Sequence, residues 1–294
     1  YHKIEERLPF DLEFFNKITK GGLPPKTLNV ALAGTGVGKS LFMCHLASSY
    51  LLQGLNVLYI TLEMAEERIA ERIDANLLDV TMEDLHDMPK QLYEGKITKL
   101  REKTQGQLVI KEYPTASAHS GHFKSLMNEL ALKKSFRPDV IFIDYLNICA
   151  SSRFKGGNIS SYFYVKAIAE ELRGLAVEFN VPIFSATQTT RTGYVSTDIG
   201  LEDTSESFGL PATADFMFAL ISNEELEALG QMKVKQLKNR YNDPSINRAF
   251  IIGVDRAKMR LYDVQQKAGE IVDANQVDEK EDAASTISPA FCCT

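Results

Sequence analysis

The chain contains no apolar run approaching the ~18 residues that a membrane-crossing helix requires. Its most continuous apolar stretches, such as Val140–Ile143, have the length of buried strands, so a membrane-spanning helix is excluded. Cysteine is scarce: four residues, at 44, 149, 292 and 293, without metal-ligand spacing and with two of them adjacent. That usage excludes a disulfide framework and points to a reducing, cytoplasmic setting. No charged and apolar leader opens the chain, so no secretory signal is expected, and a start at Tyr1 rather than Met suggests a fragment or processed product. Excess positive charge is also missing. The formal net charge is −6, of which residues 270–282 carry −5, leaving the rest near neutrality. Such a body is no histone-like polycation, and any nucleic-acid contact must come from a local patch or from loops lining a channel. No repeat of 20–50 residues is visible.

What is present is a globular composition. Hydrophobic residues make up 44% of 294, enough for a sizeable core and for one large or two small domains. Short β-rich runs (Leu28–Ala33, Asn56–Leu62, Leu108–Lys111, Val140–Ile143, Val181–Ala186, Phe216–Ile221 and Val234–Leu237) alternate with helical patterns over Lys39–Leu52, 65–101, 122–134 and Ser161–Phe179. Ala249–Val264 reads as a terminal hairpin. This alternation predicts an α/β fold with a mostly parallel central sheet and helices on both faces, because four-residue apolar strands suit a sheet covered twice. Three segments follow: a lead-in over 1–20, a principal domain over 21–266, and an acidic, disordered tail over 267–294. Ser151–Ser160 and Arg191–Pro211 are polar, aperiodic and long enough to be functional loops.

Between the first strand and the first long helix stands AGTGVGKS: Ala33, Gly34, Thr35, Gly36, Val37, Gly38, Lys39 and Ser40. It fits the P-loop pattern except for Ala33 at the first position. The glycines let backbone amides curl around phosphates, the helix N-terminus favours the anion, Lys39 reaches the β/γ-phosphates and Ser40 binds Mg²⁺. Asp144, at the end of a buried strand, faces the ligand crevice and would hold the same Mg²⁺ through water. Glu63 ends another strand and is a candidate general base; the bland alternative is a helix-start carboxylate favouring the dipole. Lys238 and Arg240, two apart on a strand, share a face and could meet γ-phosphate charge, or could simply be a solvated basic strand end. The amide of Gln188, at a strand end, could donate to the γ-phosphate and relay its loss.

In that order these motifs resemble the C-terminal motor domain of the hexameric replicative DNA helicases of the DnaB type, and more narrowly those of T-even-like phages. The resemblance runs from about Leu8 to Val264 and includes LPFDLEFFNKITKGGL, the P-loop, TLEM, VIFIDYL and the run ending in SATQTTR. It implies a RecA-like P-loop core and makes Glu63 the catalytic base and Gln188 the sensor. It also makes Lys238 and Arg240 a pair inserted into the neighbouring subunit's nucleotide site. The implied activity is hydrolysis of ATP, or GTP, with Mg²⁺ to drive a hexameric ring along single-stranded DNA and unwind duplex. Arg153, Lys155, Arg191 and Glu206 become the candidate DNA contacts in the two long loops. The acidic tail could dock a basic partner such as a primase or a helicase loader.

Competing readings are a RecA-like filament ATPase, a non-hydrolysing nucleotide-gated loader or scaffold, and a small-molecule P-loop kinase. His86, His119 and His122 read as surface or turn residues without a partner pattern. Phe42, Met43 and Leu46 at helical spacing read as core, and Cys44 as a small buried hydrophobe.

Overall fold

The computed structural model describes residues 5–154, 159–189, 200 and 209–266. Lys155, Arg191 and Glu206, residues 155–158 of the first long loop, nearly all of the second and the acidic tail from 267 onward lie outside the described residues. In chain order the elements are α1 (Glu13–Thr19), β1 (Leu28–Ala33), α2 (Lys39–Leu52), β2 (Val57–Thr61), α3 (Glu66–Leu78), α4 (Met82–His86) and α5 (Lys90–Lys103). Then come β3 (Leu108–Glu112), α6 (Ser120–Lys134), β4 (Val140–Asp144), α7 (Ser161–Phe179), β5 (Ile183–Gln188), α8 (Gly209–Thr213) and β6 (Phe216–Ile221). The series ends with α9 (Glu224–Ala228), β7 (Gln231–Asn239), β8 (Ala249–Asp255) and β9 (Arg260–Asp263).

All nine strands join one sheet in the order β3-β2-β4-β5-β1-β6-β7-β8-β9. The first six in that order are parallel; β7, β8 and β9 add an antiparallel wing. Along each central strand, alternate side chains serve opposite cores, as the two-residue period of a strand requires. Val140 and Phe142 of β4 enter the core under α1, α2 and α3, whereas Ile141 and Ile143 enter the core under α6 and α7. Helix α2 is buried nearly all round, with Phe42, Met43, Cys44 and Leu46 at or below 1% exposure. It is the central helix that the apolar pattern requires.

The strand boundaries shift for local reasons. β5 begins at Ile183, not Val181, because Pro182 has no amide to donate and the Val181 amide instead caps α7 on the Ala176 carbonyl. β7 is longer than its apolar run suggests, running from Gln231 to Asn239 with Lys233, Lys235 and Lys238 on its ladder. His119 and His122, which the sequence left without partners, complete a capping box at the start of α6.

The lead-in residues pack into the first core. Leu8 bridges to Leu23 across Gly22, whose φ of +127° and 2.0 Å approach of a Cβ position to the Leu8 carbonyl oxygen leave room only for glycine. On α1, the Phe15 ring contacts Phe10, Phe42, Phe218 and Phe250. Buried His45 of α2 ties these layers together. Its Nε2 donates to Asp11 at 2.9 Å, while Nδ1 receives the Asn76 side-chain amide at 3.1 Å and the Leu261 amide at 3.2 Å. Truncating Phe15 removes four ring contacts at once. Phe15→Ala is expected to cost about 3–5 kcal/mol, measured by denaturant titration, with the slope of the transition unchanged.

Candidate active site

Because β1, β2, β4 and β5 run parallel, their carboxyl ends open on one edge of the sheet. The registers are level there: Ala33 pairs with Gln188, and Thr61 with Asp144. Beyond Ala33 the chain curls through the P-loop, with Gly36 at φ +78° and Gly38 at φ +135°. A Cβ on Gly38 would lie 3.1 Å from Met232 Cε, so both backbone angle and space favour glycine. This loop, Glu63 and Gln188 line one cavity of about 290 Å³. The P-loop, Glu63 and Gln188 are thus brought together.

Glu63 is held by its neighbours in sequence. The Thr61 hydroxyl donates to the Met64 carbonyl at 2.7 Å and accepts the Met64 amide at 3.1 Å, while the Leu62 amide bonds Asp144 O at 2.9 Å. These bonds turn the chain sharply after β2 and leave the exposed Glu63 carboxylate on the cavity wall. Just after β4, Asn147 accepts the Thr187 hydroxyl at 2.8 Å, which braces the end of β5 one residue before Gln188.

Electrostatically the cavity floor is charged and buried. Burial pushes the Lys39 ammonium below its ordinary value, with Glu63 and Asp144 pulling it back up, and its Nζ donates to the Gly34 carbonyl at 3.3 Å. Burial raises the Asp144 carboxyl, against the Ser40 and Tyr59 hydroxyls that favour its charged form. Asp144 Oδ2 accepts from the Tyr59 hydroxyl at 3.0 Å, but Oδ1 is buried and has no hydrogen-bond donor among the described residues. A buried carboxylate oxygen without a donor, beside the Ser40 hydroxyl, is an oxygen set that suits a hard cation, and the Lys39 ammonium next to it suits phosphate oxygens. Cys44, behind this site, is buried, and its thiol is pushed up to about 12. It is inert packing.

Lys238 and Arg240 lie elsewhere. Asn239 pairs with Phe216, at the start of β6, and Phe216 pairs with Asn29 near the start of β1. The two cations therefore sit at the amino edge of the sheet, about 15 Å of strand away from the P-loop. Both donate to the Ala212 carbonyl, Lys238 at 3.0 Å and Arg240 at 3.3 Å. Neither reaches the cavity of its own chain. Arg153 pairs with Glu170 on α7, and the start of its loop is gathered by Glu171, which accepts from Ser120, Ser151 and the Ser152 amide. Burial raises the Glu171 carboxyl, but those hydrogen bonds overcome it and hold the group below its ordinary value.

Three cavity residues carried no sequence signal. Arg72 arrives from α3, while Arg256 and Met259 arrive from the turn between β8 and β9. Arg256 Nη2 donates to the Val37 carbonyl of the P-loop at 2.9 Å. Only the pairing of β8 with β7, and through it with β6 and β1, carries that turn to the P-loop.

Comparison with known proteins agrees with this geometry. The family described as the DnaB-like helicase C terminal domain matches residues 8–261. The DnaB-like replicative helicase of Enterobacteria phage T4 is 49% identical over 269 residues, which is 90% of this chain and 57% of that protein. The chain thus spans little more than half the length of that relative. Two solved structures share the fold at 16% identity and a TM-score of 0.73 each: a DnaB-like replicative helicase studied for its interactions with primase, and an ATPase domain. Each covers 88% of this chain, which in turn covers 62% of the first and 92% of the second. With the P-loop, Glu63, Asp144 and Gln188 all inside the matched span, on a largely parallel RecA-like sheet, the chain belongs to the DnaB-like helicase C-terminal domain family.

Proposed function

We propose that this chain is the motor of a ring-forming replicative DNA helicase, hydrolysing ATP, with GTP as the alternative nucleotide, to move along single-stranded DNA. One observation carries the reading. Lys39, Ser40, Glu63 and Gln188 converge on one cavity at the carboxyl edge, while Lys238 and Arg240 stand on the opposite edge, out of reach of that cavity in their own chain. The P-loop amides and Lys39 bind the nucleotide's phosphates, and Ser40 with Asp144 would hold Mg²⁺, which when bound neutralises β/γ-phosphate charge. Glu63 accepts the proton of the attacking water and orients it. Gln188, at the mouth of the second long loop, donates to the γ-phosphate and moves when that acceptor is lost.

Supplied in trans, Lys238 and Arg240 stabilise the charge that spreads over the transferring phosphoryl group, so turnover depends on assembly. A hexameric ring places each pair against the next subunit's cavity. Arg153, Lys155, Arg191 and Glu206 are proposed to line its channel, with the three cations gripping the DNA backbone in a contact that would tolerate sequence and weaken with salt. The primase contact described for a structural relative makes primase a candidate partner, with a helicase loader as another.

Glu63→Gln is expected to lower single-turnover hydrolysis by ~10²–10⁴-fold while a fluorescent nucleotide still binds with Mg²⁺. Turnover at the wild-type level would remove Glu63 from the role of general base. Arg240→Ala is expected to remove DNA-stimulated hydrolysis, with losses on the order of 10³ or more, again with nucleotide binding intact. Steady-state rates with and without single-stranded DNA decide it, and unchanged stimulation would rule out the trans role.

A further inference from the structure

At the amino edge of the sheet, the Asp215 carboxylate is buried at 3% exposure, yet two guanidiniums share it. Arg173 of α7 grips it as a fork, Nε to Oδ2 at 3.0 Å and Nη2 to Oδ1 at 3.1 Å. Arg240 Nη1 donates to Oδ1 at 2.8 Å. The backbone locks the same point: Leu28 N–H donates to Oδ2 at 3.0 Å, Asp215 N–H to the Leu28 carbonyl at 2.9 Å, and Arg240 N–H to the Asp215 carbonyl at 3.0 Å. Asp215 therefore joins β1, β6 and the end of β7 in one place. A buried, charge-assisted acceptor with this many fixed partners holds a guanidinium far more firmly than an exposed ion pair does.

We infer that Asp215 is the positioning residue of the trans-acting pair, and that Arg173 is its charge partner. This rests on the proposed trans role of Arg240. Alone with Arg240, the carboxylate would cancel its charge and repel an incoming phosphate. Arg173 supplies the second cation, so Asp215 can orient Arg240 while the cluster, with Lys238, keeps a net charge of +2. Among the described residues Arg240 makes only two side-chain hydrogen bonds, to Asp215 and Ala212, and its side chain stays 46% exposed. Several of its five donors remain open for a partner's anion. The arrangement is a guanidinium fixed on one side and free on the other, as preorganised electrostatic stabilisation requires.

The test is a double-mutant cycle on the full chain with single-stranded DNA, read by steady-state hydrolysis against nucleotide concentration, at high chain concentration so that slow residual rates are measurable. Asp215→Asn is expected to lower kcat about ten- to hundred-fold with KM for the nucleotide unchanged, and to have no further effect in the Arg240→Ala background. Arg173→Gln, a half-exposed change on a helix surface, repeats the cycle if Asp215→Asn does not fold, with the same non-additivity expected. Losses that are equal in both backgrounds, or wild-type kcat in the single variants, would overturn the positioning role. Wild-type turnover in Arg240→Ala itself would instead take down the trans reading, and this inference with it.

Discussion

The parallel pairing of β1 with β5 on one side and β6 on the other decides where each charged group of the molecule can act. Because the strands point the same way, their carboxyl ends deliver the P-loop, Glu63, Asp144 and Gln188 to a single edge without any long-range coordination between these segments. The same pairing delivers the start of β6, and with it Asp215, to the other edge. There β7 returns antiparallel and leaves Lys238 and Arg240 level with the beginning of β1. Separation of the two charge clusters by the length of a strand is thus a consequence of sheet polarity. Under the proposed trans role, it also leaves a subunit incomplete by itself.

Helix α7 connects the consequences. Over a few residues it carries Glu170 and Glu171, which anchor the start of the first long loop, and Arg173, which shares Asp215 with Arg240. Its other face is apolar and sits in the core beneath β1 and β4 through Val165, Ile168 and Leu172. This 19-residue helix therefore bears both the anchor of the segment proposed to touch DNA and the clamp on the cation proposed to act in trans. On the opposite face of the sheet, His45 ties the P-loop helix to α3 and to the β8–β9 hairpin, whose turn brings Arg256 to the Val37 carbonyl. The cavity is braced from both layers.

Much of this was legible in the residues. The buried helix Lys39–Leu52, the helix Ser161–Phe179 and the strand Phe216–Ile221 have the predicted boundaries, because each carries its own apolar period and is closed by its own ends. The P-loop was readable because its chemistry is compressed into eight consecutive positions. Arg173, Asp215 and Arg240 were a different case. They are 42 and 25 residues apart, and no local pattern pairs a helix arginine with an aspartate at a strand start. Arg72 and Arg256 were hidden for the same reason, since their approach to the P-loop is set by the order of strands. The capping pair His119 and His122 was within reach, as an i,i+3 spacing at a helix start is a local signal.

The central claim is that one chain's P-loop works with the neighbouring chain's amino edge, and subunit mixing addresses it most directly. Chains carrying Lys39→Ala keep an intact amino edge, and chains carrying Arg240→Ala keep an intact P-loop; each alone should be inactive. Mixed in equal amounts with single-stranded DNA and nucleotide, they should regain hydrolysis wherever an Arg240→Ala cavity faces a Lys39→Ala neighbour. A mixture that stays as inactive as its components, while forming mixed assemblies, would contradict the account.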